Sequence, residues 1–391
     1  MEYRPYYLAR EWQKMGHHPV IVASSVSHVR SKKPNITGYI TKESIDGIPY
    51  VWLKTPQYSG NGTRRAINIF SFVTAFWLYG PNLASILKPD IVIASSTYPL
   101  DMVPARRVAG LCSAKLVFEV HDLWPLSPIE LGGMSPQHPF IMLMQWAENY
   151  AYRHADKVVS FLPNAFGHMV LHGMRPDKFV YIPNGIDIDE WEGDAAPLPE
   201  EHTGIFAELR REGHFVVGYA GAHGVANALD SIVEAAKNLE GDHVSFVLVG
   251  QGQEKERLQG MAARMSLSNV VFLPPVPKQA MPSLLSAMDV LYISLQKQPL
   301  FRFGISPNKL MDYMMAGKPI IHAIEAANDL VKEAQCGVSV PPEDPVAIAQ
   351  AVREMMAIGE EQRREIGLRG RKYVMANHDY RVLAQRFLES I

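Results

Sequence analysis

The chain has 391 residues, a formal net charge of −2 and 20% charged against 47% apolar residues, the make-up of an ordinary soluble globular protein. The near balance of charge leaves no basic footprint for nucleic acid, and two cysteines, Cys112 and Cys336, are too few for a disulfide framework and fit a reducing cytosol. At this length two domains are expected, because single cores stop growing near about 250–300 residues.

The chain opens on Met1-Glu2-Tyr3-Arg4-Pro5, too polar for a signal peptide. Residues 6–15 repeat apolar side chains at helical spacing and stop at Gly16; a strand is predicted over 19–23. Residues 36–54 read as a small β insertion turning at Asp46-Gly47, with Ile48, Tyr50 and Trp52 alternating. Residues 66–87 follow Arg64-Arg65 and are apolar on nearly every side, with Asn68, Ser71 and Thr74 as interruptions before Gly80-Pro81. A membrane span takes about 20 continuous apolar residues. With Pro81 and Asn82 breaking the run, a helix half inserted at an interface fits better, an ordinary core helix being the alternative. Residues 140–144, before Trp146, form a second stretch of this kind.

From residue 90 the pattern alternates. Strands are predicted at 90–95, 115–120, 157–161 and 179–182, with helices near 101–111, 136–153 and 164–172 between them. Pro183-Asn184-Gly185-Ile186-Asp187 turns the chain out, and 192–204 reads as a linker. The second half repeats the scheme: strands at 215–220, 244–249, 270–273, 289–294, 318–323 and 337–340, then helices from about 345 to 390. Such strands, apolar on both faces and separated by helices, make parallel sheets, so two doubly wound α/β domains are expected, with ligands at the carboxyl ends of the strands. The domains fall at 1–190 and 205–374, with the helix at about 375–391 packing back on the first.

Residues 306–319 carry the most informative pattern. Ser306 suits a helix N-cap, Pro307 the first helical position, Gly317 the left-handed C′ position, and Pro319 blocks a restart. Lys309 then puts a positive charge at the positive pole, a cost of about 0.3–1 kcal/mol that a bound anion would reverse. Arg302 lies just upstream as a second charge; the plain alternative is a solvated lysine. Asp312, one turn on, can accept two vicinal ribose hydroxyls or simply pair with Lys309. Gly221 and Gly224, between a strand and a helix, let backbone approach a phosphate, and Gly250 ends the next strand; both loops are equally readable as tight turns. His121 ends the strand at 115–120, where it can bond a sugar hydroxyl or a charged leaving group. The carboxylates of Asp187-Ile188-Asp189 lie between the domains and read as structural. His17, His18, His154, His168 and His172 show no ligand spacing with cysteines or carboxylates, so no metal site is expected.

Four segments together resemble the retaining family-4 glycosyltransferases of GT-B fold, and within them the WbuB-like enzymes of bacterial O-antigen and capsule assembly. They are Met1-Glu2-Tyr3-Arg4-Pro5-Tyr6-Tyr7-Leu8-Ala9, Glu119-Val120-His121-Asp122-Leu123-Trp124-Pro125, Pro183-Asn184-Gly185-Ile186-Asp187 and 306–319. The resemblance implies two Rossmann-like domains facing a cleft and a nucleoside-diphosphate sugar held mainly by the second. It implies a polyprenyl-diphosphate-linked saccharide as acceptor, and a cytoplasmic protein peripheral at the inner face of the cytoplasmic membrane. Neither cofactor nor metal is expected. Asp312 falls where the family's ribose-binding glutamate sits, His121 where its histidine contacts the donor sugar, and Gly221 and Gly224 on the loop facing the diphosphate; Gly250, Arg302, Ser306, Asn308 and Lys309 complete the expected donor site.

The chain departs from the family in three places. A further glutamate expected near the sugar falls on Gly304, an Arg and Lys after the second domain's first strand are replaced where Ala222 and Asn227 lie, and the first strand that precedes the opening helix in relatives is expected to be missing. Arg302 and Lys309 are therefore the expected neutralisers of the leaving diphosphate. The rival readings are a nucleotide-sugar epimerase or phosphorylase of the same architecture, and a non-catalytic sugar-nucleotide binder.

Overall fold

The structure, a computed structural model, describes residues 3–27, 34–58, 60 and 62–391. Met1 and Glu2, which open the first of the four segments, lie outside the described residues. The chain divides into two units, Met1–Asn184 together with Tyr380–Ile391, and Gly185–Asp379.

The first unit opens on α1 (Tyr3–Lys14), β1 (Ile21–Ser24) and the hairpin β2 (Ile40–Ile45) to β3 (Ile48–Leu53). Asp46 and Gly47 turn that hairpin at φ 51° and 81°, the pair of left-handed residues that a two-residue turn between twisted strands requires. These strands form a sheet of order β1-β3-β2, parallel between β1 and β3. There follow α2 (Thr63–Leu87), β4 (Ile91–Ser96), α3 (Met102–Cys112), β5 (Lys115–Val120), α4 (Leu126–Glu130), α5 (Pro139–His154), β6 (Lys157–Ser160), α6 (Phe166–Leu171) and β7 (Phe179–Tyr181). Here β4-β5-β6-β7 make a parallel four-stranded sheet. Among the described residues no strand pairing joins the two sheets.

The break expected at Pro81 does not occur: α2 runs unbroken over 25 residues. Proline removes its own N–H and leaves the carbonyl four residues back without a partner. That carbonyl belongs to Trp77, and it accepts a 2.9 Å hydrogen bond from Arg107, whose guanidinium also lies 4.5 Å over the Trp77 ring. One face of α2 is buried through Asn68, Ile69, Phe72, Gly80 and Leu83, while Ile67, Phe70, Trp77, Leu78 and Ile86 are exposed. By length and composition α2 could cross a membrane.

The second unit begins with α7 (Ile188–Glu192), capped by the Asp187 carboxylate accepting from the Glu190 amide at 2.8 Å, and α8 (Glu200–Arg211). The latter helix lies partly in the stretch expected to be a linker: Pro199, Glu200 and Glu201 read as linker composition but are equally good first-turn residues. Then come β8 (Phe215–Ala220), α9 (Asp230–Lys237), β9 (Val244–Val249), α10 (Lys255–Arg264), β10 (Val270–Leu273), α11 (Met281–Ser286) and β11 (Val290–Ser294). They continue into α12 (Asn308–Met315), β12 (Ile320–Ala323), α13 (Leu330–Glu333), β13 (Gly337–Ser339), α14 (Pro345–Ala357) and α15 (Glu360–Asn377). All six strands are parallel, in the order β10-β9-β8-β11-β12-β13. The order reverses between β8 and β11, which makes the carboxyl end of β8 the switch point where such sheets bind ligands.

The last helix, α16 (Tyr380–Glu389), belongs to the first unit. With α1 it covers a core common to both small sheets, where Tyr7, Leu8, Trp52, Val117, Val159, Leu383 and Phe387 meet. Tyr7 stacks on Tyr380 at 4.9 Å, and the Trp12 indole donates to the Ala384 carbonyl at 3.0 Å.

Candidate active site

At the switch point of the second unit, β8 ends in the loop 221–224 and β9 in 250–252. The two loops interlock: the His223 amide donates to the Gln251 carbonyl at 2.9 Å and the Glu254 amide to the His223 carbonyl at 3.0 Å. Glycine is needed for this approach, since a Cβ on Gly250 would overlap the Gly221 carbonyl and one on Gly252 the His223 carbonyl. The signal was legible as Gly250-x-Gly252, but its purpose lies in the facing loop. Beneath them Ala220, Gly221, Val249, Gly250, Val276 and Leu284 help line a mainly apolar cavity of about 210 Å³.

Helix α12 delivers its first turn to the same loop. Tyr313 anchors it, accepting from the Ala220 amide at 2.7 Å and donating to the Ala220 carbonyl at 3.2 Å. The helix starts one residue later than expected, with Pro307 rather than Ser306 at the N-cap, a residue whose side chain makes no capping hydrogen bond. Gly317 does take the left-handed conformation, at φ 64°. Lys309 turns away from Asp312 and lies against the loop: a Cβ on Gly221 would stand 2.7 Å from its Cε. Its ammonium donates to the Tyr219 hydroxyl at 2.8 Å and the Asn227 side-chain oxygen at 3.0 Å, and sits 4.2 Å from the Tyr219 ring centre. Burial with only neutral partners pushes its pKa down to about 7.

Asp312 is half-buried, and its carboxylate accepts no hydrogen bond from the described residues. Burial raises its pKa to about 7, against a lowering influence from Lys278. The expected i,i+3 pairing with Lys309 is therefore not made. Between them, the helix carries a cation and an acceptor whose charged forms both lack an ionic partner close by. His223 is buried with neither ring nitrogen bonded, and burial together with Lys255 and Lys309 lowers its pKa to about 4, so it is neutral. Sequence reasoning noticed the glycines around it and passed over the residue itself.

The remaining donor candidates divide. Gly224 closes the loop and precedes a 3₁₀ turn, Val225–Asn227. Asn308 is exposed in the first turn of α12, and Ser306 is half-buried just before it. Arg302 is exposed, donates to the Pro299 carbonyl at 2.7 Å and lies 4.4 Å over the Phe303 ring. Gly304, at φ 98° and ψ 176°, occupies backbone space essentially closed to other residues, which explains why no glutamate stands there.

In the first unit the carboxyl end of β5 presents His121. Its Nε2 is 2.8 Å from the Ser95 hydroxyl and 3.2 Å from Glu119, and its ring packs on Phe161 at 4.5 Å. Among the described residues no group bonds Nδ1, so the Ser95 and Glu119 side fixes the ring. Glu119 is buried; burial alone would raise its pKa, but Arg4 and the hydrogen bonds from His121 and Ser95 outweigh it and hold it at about 2. Arg4, also buried, donates to Glu119 at 2.9 Å and to the carbonyls of Ile182 and Pro183, and lies 4.2 Å over Phe161. Asp101, bonded by Ser96, is pushed up to about 6 by burial. Arg4, Ser95, Glu119 and Asp101 were not legible as a group, because four separate elements bring them together.

One expectation is overturned here. His168 and His172, read as having no carboxylate within ligand spacing, both lie beside Glu148 of α5.

Two family descriptions match the chain: glycosyl transferase 4-like domain over residues 1–185 and glycosyl transferases group 1 over residues 214–357. Among curated proteins it is 24% identical to the probable glycosyltransferase WbjE of Pseudomonas aeruginosa, covering 71% of this chain and 69% of that one. It is 23% identical to the putative colanic acid biosynthesis glycosyl transferase WcaI of Escherichia coli K12, covering 69% and 67%. Among solved structures, sucrose-phosphate synthase from Thermosynechococcus elongatus superimposes with a TM-score of 0.70 at 17% identity, over 98% of this chain and 90% of the other. Anabaena HepE, solved with UDP-glucose, gives 0.62 at 17% identity over 88% and 86%. Both likenesses are of fold: α/β with two parallel Rossmann-like sheets, the GT-B arrangement of elements.

Proposed function

Because this chain belongs to the group 1, family-4 glycosyltransferases, we propose that it moves a sugar, with retention at the anomeric carbon, from a nucleoside diphosphate to a lipid-linked saccharide in bacterial surface polysaccharide synthesis. The observation that carries the reading is Lys309: a half-buried ammonium held by the neutral Tyr219 and Asn227 side chains, in the first turn of α12 and against a glycine loop. A diphosphate there supplies the missing counter-charge and takes hydrogen bonds from free amides. Asp312, whose carboxylate has no donor among the described residues, is the ribose acceptor, and the apolar cavity lined by Gly221 and Gly250 takes the base.

The reaction breaks the anomeric carbon–oxygen bond to the diphosphate and forms one to the acceptor hydroxyl. Negative charge develops on the departing diphosphate, and a fixed ammonium and amides aimed at it lower the barrier. His121 positions the donor sugar through Nδ1. No carboxylate is assigned as nucleophile: Glu119 is committed to Arg4. Donor class is supported by HepE, solved with UDP-glucose, and acceptor class by WcaI, described for colanic acid. The exposed apolar face of α2, edged by Arg64 and Arg65, supports a place at the inner face of the cytoplasmic membrane.

The test is a panel of UDP- and GDP-sugars, scored first by thermal stabilisation and then by transfer to a lipid-linked acceptor. Asp312→Asn and Lys309→Ala are expected to lose nucleotide affinity, and His121→Ala to lose turnover while keeping it. Stabilisation without turnover on any acceptor would favour the non-catalytic binder.

A further inference from the structure

The most chemically loaded cluster away from the donor site lies between α5 and α6. His168 and His172 are one turn apart, with ring centres 4.4 Å apart. The Nε2 of His168 is 2.9 Å from one oxygen of Glu148, and the Nδ1 of His172 is 3.8 Å from the other. One donor atom from each of the three residues lies within 4.8 Å of the others. Glu148 is buried at 1% exposure. It also accepts from Gln145 at 2.7 Å and Tyr152 at 3.1 Å, and no lysine or arginine pairs with it among the described residues.

We propose that Glu148, His168 and His172 bind a divalent transition-metal cation of the zinc class, which fastens α6 to α5 and takes no part in sugar transfer. Two imidazoles and one carboxylate are a donor set for zinc rather than for magnesium or calcium, which take oxygen. Zinc–ligand bonds of about 2.0–2.2 Å place tetrahedral donors roughly 3.2–3.6 Å apart, and the two observed separations bracket that distance. A cation supplies the counter-charge that the buried carboxylate lacks. It displaces the Gln145 amide nitrogen, which now bridges His172 at 2.8 Å and Glu148 at 2.7 Å, together with the Asn149 side-chain oxygen 3.1 Å from the same His172 nitrogen, and leaves the Tyr152 hydroxyl to orient the carboxylate. His172 is half-buried, which leaves an entry path and a fourth position for water. The consequence reaches the first unit's site: α6 follows β6 through Phe161, the ring that packs against both His121 and Arg4.

The experiment uses the full-length chain without a histidine tag, stripped with chelator and titrated with zinc. One saturable zinc per chain is expected, with a rise in the unfolding midpoint, and Co²⁺ should give the intense visible absorption of a four-coordinate site. Glu148→Gln keeps the shape and much of the hydrogen bonding, and His168→Ala removes one ligand; each should abolish saturable binding while retaining a cooperative thermal transition. His17→Ala/His18→Ala should leave it intact. Zinc binding unchanged in both cluster variants, or no saturable zinc on the wild type, would overturn the proposal and leave the three residues as a proton-sharing hydrogen-bonded cluster. No outcome depends on transferase activity.

Discussion

At the scale of the residue, two groups on one helix set opposite pH limits. In the proposed donor site, nucleotide binding needs Lys309 protonated, which holds below its pKa of about 7, and Asp312 ionised, which holds above its own value of about 7. UDP affinity should therefore peak near neutrality and fall on both sides between about pH 5.5 and 8.5. Isothermal titration across that range checks it: Asp312→Asn should remove the acid limb and Lys309→Met the alkaline one, and a flat wild-type profile would count against both assignments. The Arg4–Glu119 pair makes a second prediction. Glu119 ionises with an ordinary value of 4.5 when unfolded and about 2 when folded, so its stabilisation is complete above about pH 4.5 and is lost as pH falls toward 2. Arg4→Met leaves a buried carboxylate without its guanidinium partner, at a cost of about 3–5 kcal/mol in urea unfolding at neutral pH. A loss under 1 kcal/mol would mean the pair is dispensable.

At the scale of the element, α2 shows how a local rule can be overruled. Pro81 ought to break the helix, and does not, because Arg107 of α3 satisfies the Trp77 carbonyl that proline orphans. The close approach of α3 is visible at Gly80, where a Cβ would stand 2.8 Å from the Val108 side chain. That packing commits one face of α2 to the unit and leaves Trp77, Leu78, Phe70 and Ile67 outside. Replacing Phe70 and Leu78 together by glutamate should cut sedimentation with anionic vesicles at least tenfold, yet leave the unfolding midpoint and UDP affinity unchanged. Undiminished vesicle binding would remove α2 from the membrane reading. Helix α12 is the converse case: its pattern was legible almost to the residue, since its caps are local chemistry, while the direction of Lys309 depends on Tyr219 and Asn227, 90 and 82 positions away.

At the scale of the whole molecule, the chain returns its last helix to the first unit, and α16 buries Leu383, Ala384 and Phe387 fully. Phe387→Ala should cost about 3–5 kcal/mol, read in the transition of the first unit, with UDP affinity preserved; an unchanged transition would mean that α16 is not part of that core. The alternation of strands and helices was readable from sequence because apolar periodicity is a property of neighbouring residues, and it carried the fold class. The helix beginning at Glu200 was missed because Pro and Glu serve linkers and first turns alike. Glycines at 221, 250 and 317, the cation at 309 and the histidine at 121 were also legible, each marking a local conformation, a helix end or an end of a strand. What needed the tertiary structure is everything built by convergence: Arg4 on Glu119, the loop glycines against each other's carbonyls, and Glu148 beside two histidines 20 and 24 residues on. Sequence by itself determined which segments could form and what chemistry they could carry. The tertiary structure decided which groups share a buried volume, and burial is what turns an ordinary lysine and aspartate into groups that titrate near neutrality.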